Sequence, residues 1–432
     1  MSAADTPVVP QPETRRSPAR PSMVASAFLL LGAAFFVVFC AGMVFSPGEV
    51  FSVGRSPRAA AALHAAILGW LLPTGFAVTH LSLPRLGDAG TRDGLGAQSH
   101  FFLHGLGLCW ILPAFARWDI AAVAHAGSVM LLGLLVFLVL VARRLEKGER
   151  LPMVQITVAS SILWLMLTMF MGVLAAANHY WFFLPMQTLT AIHAGMHAGF
   201  GGYLSLLLMG LSYLVFDVAV CGGGERRLWA FLLCNGGLYV VVLGLAFGLP
   251  VVLPGALSVA GGLIFYAVEV ASGVAARGGK LDAWNHGYAA GFIGLFLLLG
   301  VGLLIGELDM VPAEMRGSMR VLYGFLWMVL ATGLPLWCIA GRALGVTGGE
   351  GARSPGFAVF LYLAGTAIGA WGIARGDAVA VRVGGLLLLA GGAGALAAIV
   401  PPCARAILAP GRHTDDSWGS RPAAAKSVGE AT

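Results

Sequence analysis

Stretches of about twenty apolar residues recur from one end of this chain to the other, and they leave it few folds to choose from. A bilayer core about 30 Å thick is crossed by roughly twenty residues of helix. No water serves backbone N–H and C=O groups there, so a run of this kind satisfies them internally, as a helix. The whole chain is 58% hydrophobic and 11% charged, with mean hydropathy +0.86. A soluble domain would carry about 25% charged residues. The expected class is therefore all-α, a polytopic membrane protein in contact with lipid. Twelve spans are expected near 23–45, 59–84, 99–117, 120–142, 153–177, 188–215, 228–249, 252–275, 286–306, 318–341, 356–373 and 379–400.

Basic residues orient these spans, because loops on the cytoplasmic side are enriched in Lys and Arg. Arg15, Arg16 and Arg20 precede the first span; Arg143, Arg144, Lys147 and Arg150 follow the fourth; Arg226 and Arg227 follow the sixth. Arg277 and Lys280 follow the eighth, Arg342 and Arg353 the tenth, and Arg405 and Arg412 the last. The loop after span nine carries Glu307, Asp309 and Glu314 instead. Both termini are expected in the cytoplasm. This topology accounts for the formal charge of +6 without a nucleic-acid partner. The organisation read from composition is a disordered cytoplasmic leader at 1–22, one twelve-helix membrane domain at 23–405, and a disordered tail at 406–432. The leader is polar and Pro-rich with no cleavage site after an early apolar core, unlike a signal peptide. Cys40, Cys109, Cys221, Cys234, Cys338 and Cys403 show no paired spacing, so neither a disulfide framework nor a thiolate metal site is indicated.

An internal repeat is legible. Span two reads His64, four residues, Gly69-Trp70, and then Thr79-His80. Span six reads His197, four residues, Gly202-Tyr203, and then Ser212-Tyr213 at the same spacing. A weaker third copy in span ten reads Met319, four residues, Gly324-Phe325, then Thr332-Gly333. The copies begin 133 and 122 residues apart, each holding about four spans. Three four-helix pseudo-repeats around a threefold axis follow.

Five histidines (His64, His125, His179, His193 and His197) fall near the outer membrane face in that orientation. An imidazole in hydrocarbon is costly without a partner, which marks such a group as a candidate functional site. The segment Asn178-His179-Tyr180, followed by Ile192-His193-Ala194-Gly195-Met196-His197 and Gly201-Gly202, resembles a ligand-bearing region of catalytic subunits in the heme-copper oxidase and nitric oxide reductase superfamily. Leu63-His64 through Trp70 to Leu83-Pro84-Arg85 is similar to the helix that supplies that family's other low-spin heme ligand. The twelve-span threefold layout is similar too. The chain departs from the family in three places, the first being that its paired histidines sit on the sixth span where the family's sit on the tenth. Span seven has no adjacent copper-ligand histidines, only Cys234 and Asn235, and Gly195 stands at the high-spin position. The resemblance implies a degenerate, single-heme relative in the bacterial inner membrane. Its expected setting is respiratory electron transfer or nitric oxide and oxygen metabolism. It implies an electron-donor protein or respiratory complex subunit as partner, and leaves an oxidoreductase activity open.

A b-type heme in a bundle needs axial imidazoles from two facing helices. His64 and His197 meet that need, and Trp70 or Tyr203 can wall the macrocycle's edge. The other reading is buried histidines bonded to backbone. His193 and His197 share one helix face. They can be a heme ligand plus a distal-pocket group, or two ligands of a copper or zinc site completed by His125 and His179. His179 beside Tyr180 and Trp181 is equally an interfacial belt residue.

A second group, His80, His100, His104 and His286, lies toward the cytoplasmic side. It reads either as a metal site or proton entry path, or as interfacial anchoring near Arg85 and Arg92. Glu269, deep in span eight, must be neutral or paired; it reaches a relay or the surface. Asp217 closes span six at the solvent. The alternatives to a heme protein are a multi-span transporter, or an assembly factor that passes heme or copper on through these histidines.

Overall fold

A computed structural model of the protein describes residues 21–51, 56–86, 94–145, 152–182, 188–215, 224–275, 283–306, 316–345 and 355–408. Among them there is no strand, and the chain is an all-α, polytopic membrane protein. Its twelve membrane-length helices are Met23–Phe45, Pro57–Pro84, Leu95–Arg117, Ile120–Leu145, Met153–Trp181, Ile192–Val215, Glu225–Phe247, Val252–Gly273, Ala283–Gly302, Gly317–Ala343, Gly356–Arg375 and Ala378–Leu408. Most of the leader and tail lie outside the described residues. So do the loop charges Lys147, Arg150, Arg277, Lys280, Glu307, Asp309, Glu314 and Arg353, together with Arg92, Asp217 and Cys221.

The observed bounds follow the hydrophobic runs, and the largest extension is at span twelve. Pro401-Pro402 lie just past the expected end at 400, and proline removes an intrahelical donor. The helix nevertheless continues to Leu408, and Cys403 beyond the prolines is fully buried. Packing of this span against spans one and eleven along its length outweighs the lost backbone bonds.

Three hairpins repeat one design. Spans three and four, seven and eight, and eleven and twelve join through a single residue of positive φ: Trp118 at 56°, Gly248 at 64° and Gly376 at 69°. The next N–H then returns to a carbonyl five residues back, Asp119 to Ala114 at 2.9 Å, Leu249 to Gly244 at 2.9 Å and Asp377 to Gly372 at 2.8 Å. These bonds satisfy helix-end carbonyls in the Schellman manner. Asp119 and Asp377 also cap the following helix, accepting from Ala122 N–H at 3.0 Å and Val379 N–H at 2.9 Å. Positive φ costs an L-residue about 1–2 kcal/mol. Gly376→Ala is therefore expected to lower the melting temperature of the purified protein in detergent, and Trp118→Gly to raise it. Equal responses at the two turns would show that backbone conformation is not what distinguishes them.

Spans two, six and ten form the centre. They are 67%, 89% and 78% buried by protein, against 28–44% for the other nine, which surround them and turn apolar faces to lipid. Each central span is interrupted by a π-helical segment, Ala65–Leu71, Ala198–Ser205 and Trp327–Gly333. The first two begin immediately after His64 and His197, so the repeat read from spacing coincides with a shared backbone feature. The third corrects the expected register. Its start places Leu326, not Met319, at the position of the histidines, seven residues further along.

Two of the interruptions have a visible cause. Leu72 N–H bonds Ile67 O and Leu334 N–H bonds Val329 O, each five residues back. Pro73 and Pro335 follow and have no N–H to donate. The carbonyls of Leu68 and Leu330 thereby lose their intrahelical donors. π segments of this kind concentrate at functional sites.

Candidate functional site at the start of the central spans

His64 and His197 are held alike. His64 Nδ1 lies 2.8 Å from Ala60 O, and His197 Nδ1 lies 3.1 Å from His193 O. A carbonyl only accepts, so in both rings Nδ1 carries the proton and donates. Nε2 is left with its lone pair outward, the tautomer that metal-binding imidazoles use when an outer hydrogen bond fixes the ring. Both side chains are half-buried, near the start of their central spans. His64 stacks on Phe115 of span three, with ring centroids 3.7 Å apart and planes at 20°. His197 lies against span ten instead, 6.3 Å from the Tyr323 ring and 5.5 Å from Trp327. Sequence reasoning missed all three aromatic neighbours. No spacing rule connects Phe115, Tyr323 or Trp327 to a histidine on another span.

The remaining outer histidines are not gathered. His193 is exposed, with its ring 5.0 Å from that of His197, as their spacing on one helix face requires. His125 is exposed between Trp110 and Trp181, and donates from Nδ1 to Ala121 O at 2.7 Å. His179 is exposed beside Phe182. Both lie on the outside of the bundle in an aromatic girdle with Trp110, Tyr180 and Trp181. The belt reading describes their surroundings, because indole and phenol rings favour the membrane–water boundary. Among the described residues no three His, Cys, Asp or Glu side chains converge to hold a metal ion, so the site completed by His125 and His179 does not assemble.

Trp70 and Tyr203 lie deeper than the histidines, in the contact between central spans. Trp70 is fully buried, packed on Phe36 at 4.9 Å and Phe39 at 5.4 Å. A Cβ added at Gly333 would come within 2.6 Å of its Cζ2. The Tyr203 hydroxyl sits over Gly75 at 2.5 Å from a would-be Cβ. Trp327 approaches Gly201 at 3.7 Å in the same sense. Span two thus leans on ten, six on two, and ten on six. Trp70 and Tyr203 occupy room that a glycine of the next helix leaves open, while Trp327 makes an ordinary contact with Gly201.

At the opposite end, two buried polar groups flank the centre. In the first repeat His80, His100 and His104 pack among Phe28, Phe76, Phe101 and Phe137. The anchoring reading of these three fails, since all are buried; His286 is exposed. In the second repeat Glu269 is not a lone carboxylate. It accepts from Arg227 Nε at 2.9 Å, and both side chains are buried. Arg227, expected as a loop charge after span six, belongs to the first turn of span seven. Its guanidinium also lies 5.4 Å over the Tyr213 ring. Nearby, Tyr266 pairs with Ser212 at 2.5 Å and with Tyr288 at 2.6 Å, and the Tyr288 hydroxyl donates to Leu208 O at 3.1 Å. A cavity of about 20 Å³ beside this chain has room for one water.

Set against known protein families and curated proteins, the chain matches none.

Proposed function

We propose that this protein is an integral membrane b-type heme protein, with His64 and His197 as the two axial ligands. One observation carries the reading. Two histidines at matching places in two repeats present the same free Nε2, each fixed by a carbonyl four residues back and each followed at once by a π segment. The donor set suits a heme iron, which takes neutral imidazole nitrogen. Bound heme would supply one-electron exchange at its iron, with the protein setting potential through ligands and surroundings. The residues themselves orient and enclose. Phe115 fixes the plane of His64, while Tyr323 and Trp327 back His197. Exposed His193 stands beside His197 as a polar group at the mouth of the site. The role that fits is respiratory electron transfer or handling of nitric oxide or oxygen, with electrons from a protein donor at the bacterial inner membrane. Whether turnover accompanies it depends on a second redox centre.

A visible spectrum of the purified protein tests this directly. A Soret and α band of bis-imidazole type is expected, and His64→Gly and His197→Gly should each abolish it. Added imidazole should restore the band in either variant, which a merely misfolded protein would not do. A colourless wild-type protein purified from heme-replete cells would overturn the proposal.

The second reading, a transporter, has its own support. Breaks in all three central helices and the buried Arg227–Glu269 pair are features that carriers place along a substrate path. Uptake into vesicles by heme-free protein would favour it.

A further inference from the structure

The histidine chamber at the far end of spans two and three is independent of the heme reading. His100 is 1% exposed and His104 2%, and their ring centroids are 6.5 Å apart; His80 lies 5.9 Å from His100. The walls are aromatic carbon. Phe76 is 4.4 Å, Phe137 4.7 Å and Phe28 4.9 Å from the His100 ring.

The π segment governs one of these imidazoles. Pro73 leaves Leu68 O without an intrahelical donor, and His104 Nε2 supplies the missing bond at 3.0 Å. That donation puts the proton on Nε2 and leaves the lone pair on Nδ1. The other imidazole is a greater anomaly. Both ring nitrogens of His100 are buried, and neither has a hydrogen-bond partner. Leaving such groups unmet is costly in a buried site. The phenyl walls cannot meet them, so the pattern calls for something bound.

We propose that His100 and His104 hold a single cuprous ion. With about 2 Å from ion to each nitrogen, two imidazoles sharing one ion have centroids about 6 Å apart, and those of His100 and His104 are 6.5 Å apart. Three-ligand geometry is not available, because no three such side chains converge among the described residues. The chamber therefore suits an ion content with two nitrogen ligands. Zn²⁺ takes four ligands, and a dication enclosed by phenyl rings with no carboxylate would bear a severe desolvation cost. A soft monovalent ion avoids both demands, and the faces of Phe28, Phe76 and Phe137 add cation–π attraction.

The test uses the full chain purified anaerobically in detergent and titrated with Cu(I) buffered by a chromogenic chelator. One Cu(I) per chain should be retained by the wild type, none by His100→Phe or His104→Phe, and one by a variant of the exposed His286, His286→Ala. Phenylalanine suits the aromatic walls, and size-exclusion profiles check that the variants fold. X-ray absorption of the wild-type copper complex supplies a readout that no variant can confuse, and two nitrogen ligands in a linear arrangement are expected. Retention of copper by both folded variants, a sulfur-rich or four-coordinate spectrum, or no retention by the wild type would each overturn the assignment.

Discussion

Arg227→Leu should destabilise the protein by about 3–5 kcal/mol, whereas Arg227→Leu combined with Glu269→Leu should recover most of that loss. The two side chains meet at 2.9 Å between spans seven and eight and are buried there. Removing the guanidinium leaves a carboxylate enclosed by protein with its principal cation gone. Removing both leaves two leucines and no buried charge to compensate. The attraction between the charges is strong because the site is dry, but so is the cost of drying them, and the two nearly cancel. What remains large is the penalty for half a pair. Arg227 also spans three helices, because its guanidinium lies over Tyr213 of span six while bonding Glu269 of span eight. The loss should therefore appear as cooperative loosening of the second repeat. Thermal unfolding in detergent reads it, and added salt should change the result little, since buried pairs are weakly screened. If single and double variants melt together, the pair is not an isolated electrostatic unit.

The helices were legible because lipid imposes a simple rule on their length. Twelve apolar runs became twelve spans, and the largest difference in length is at span twelve, where the helix runs through Pro401-Pro402 to Leu408. The first two copies of the repeat were legible for a different reason. His64 and His197 precede π segments set in the same register, so the local sequence records a shared backbone event. The third copy was misread because Gly324-Phe325 imitates Gly69-Trp70. The real correspondence lies in Leu72-Pro73 and Leu334-Pro335, where a proline forces the five-residue hydrogen bond. That signal was present as two prolines, but its consequence needs backbone geometry to be seen. Glu269 is expected to be neutral or paired and is paired, but its partner is 42 residues away and no local spacing names it. Arg227 looks like a loop charge when only charge counts near helix ends are considered. Side-chain partners across spans depend on rotation of each helix about its axis, and a run that is apolar all round leaves that rotation undetermined.

Trp70→Ala should be the most damaging single truncation at the centre, costing about 3 kcal/mol, while Trp70→Phe should cost well under half as much. In a membrane the driving force for helix contact is close packing, since lipid tails are as apolar as the side chains they would replace. Deleting the indole therefore loses little transfer energy but leaves a void among Phe36, Phe39 and Gly333 that the three converging helices cannot collapse. Phenylalanine keeps most of the ring. It also deletes the Trp70 N–H, which is buried without a hydrogen-bond partner and so gives up little when lost. Gly333→Leu adds the converse fault, filling from the other helix the space the indole occupies. Alone it should cost about 1–3 kcal/mol by overpacking, but in the Trp70→Ala background the leucine enters the void. The double variant should then be more stable than the sum of the two losses, a coupling that only residues in direct contact produce. Melting curves of the four proteins measure it. Additive losses would mean that the indole and the glycine do not share one space, and the cyclic lean of span two on ten, six on two and ten on six would lose its first member.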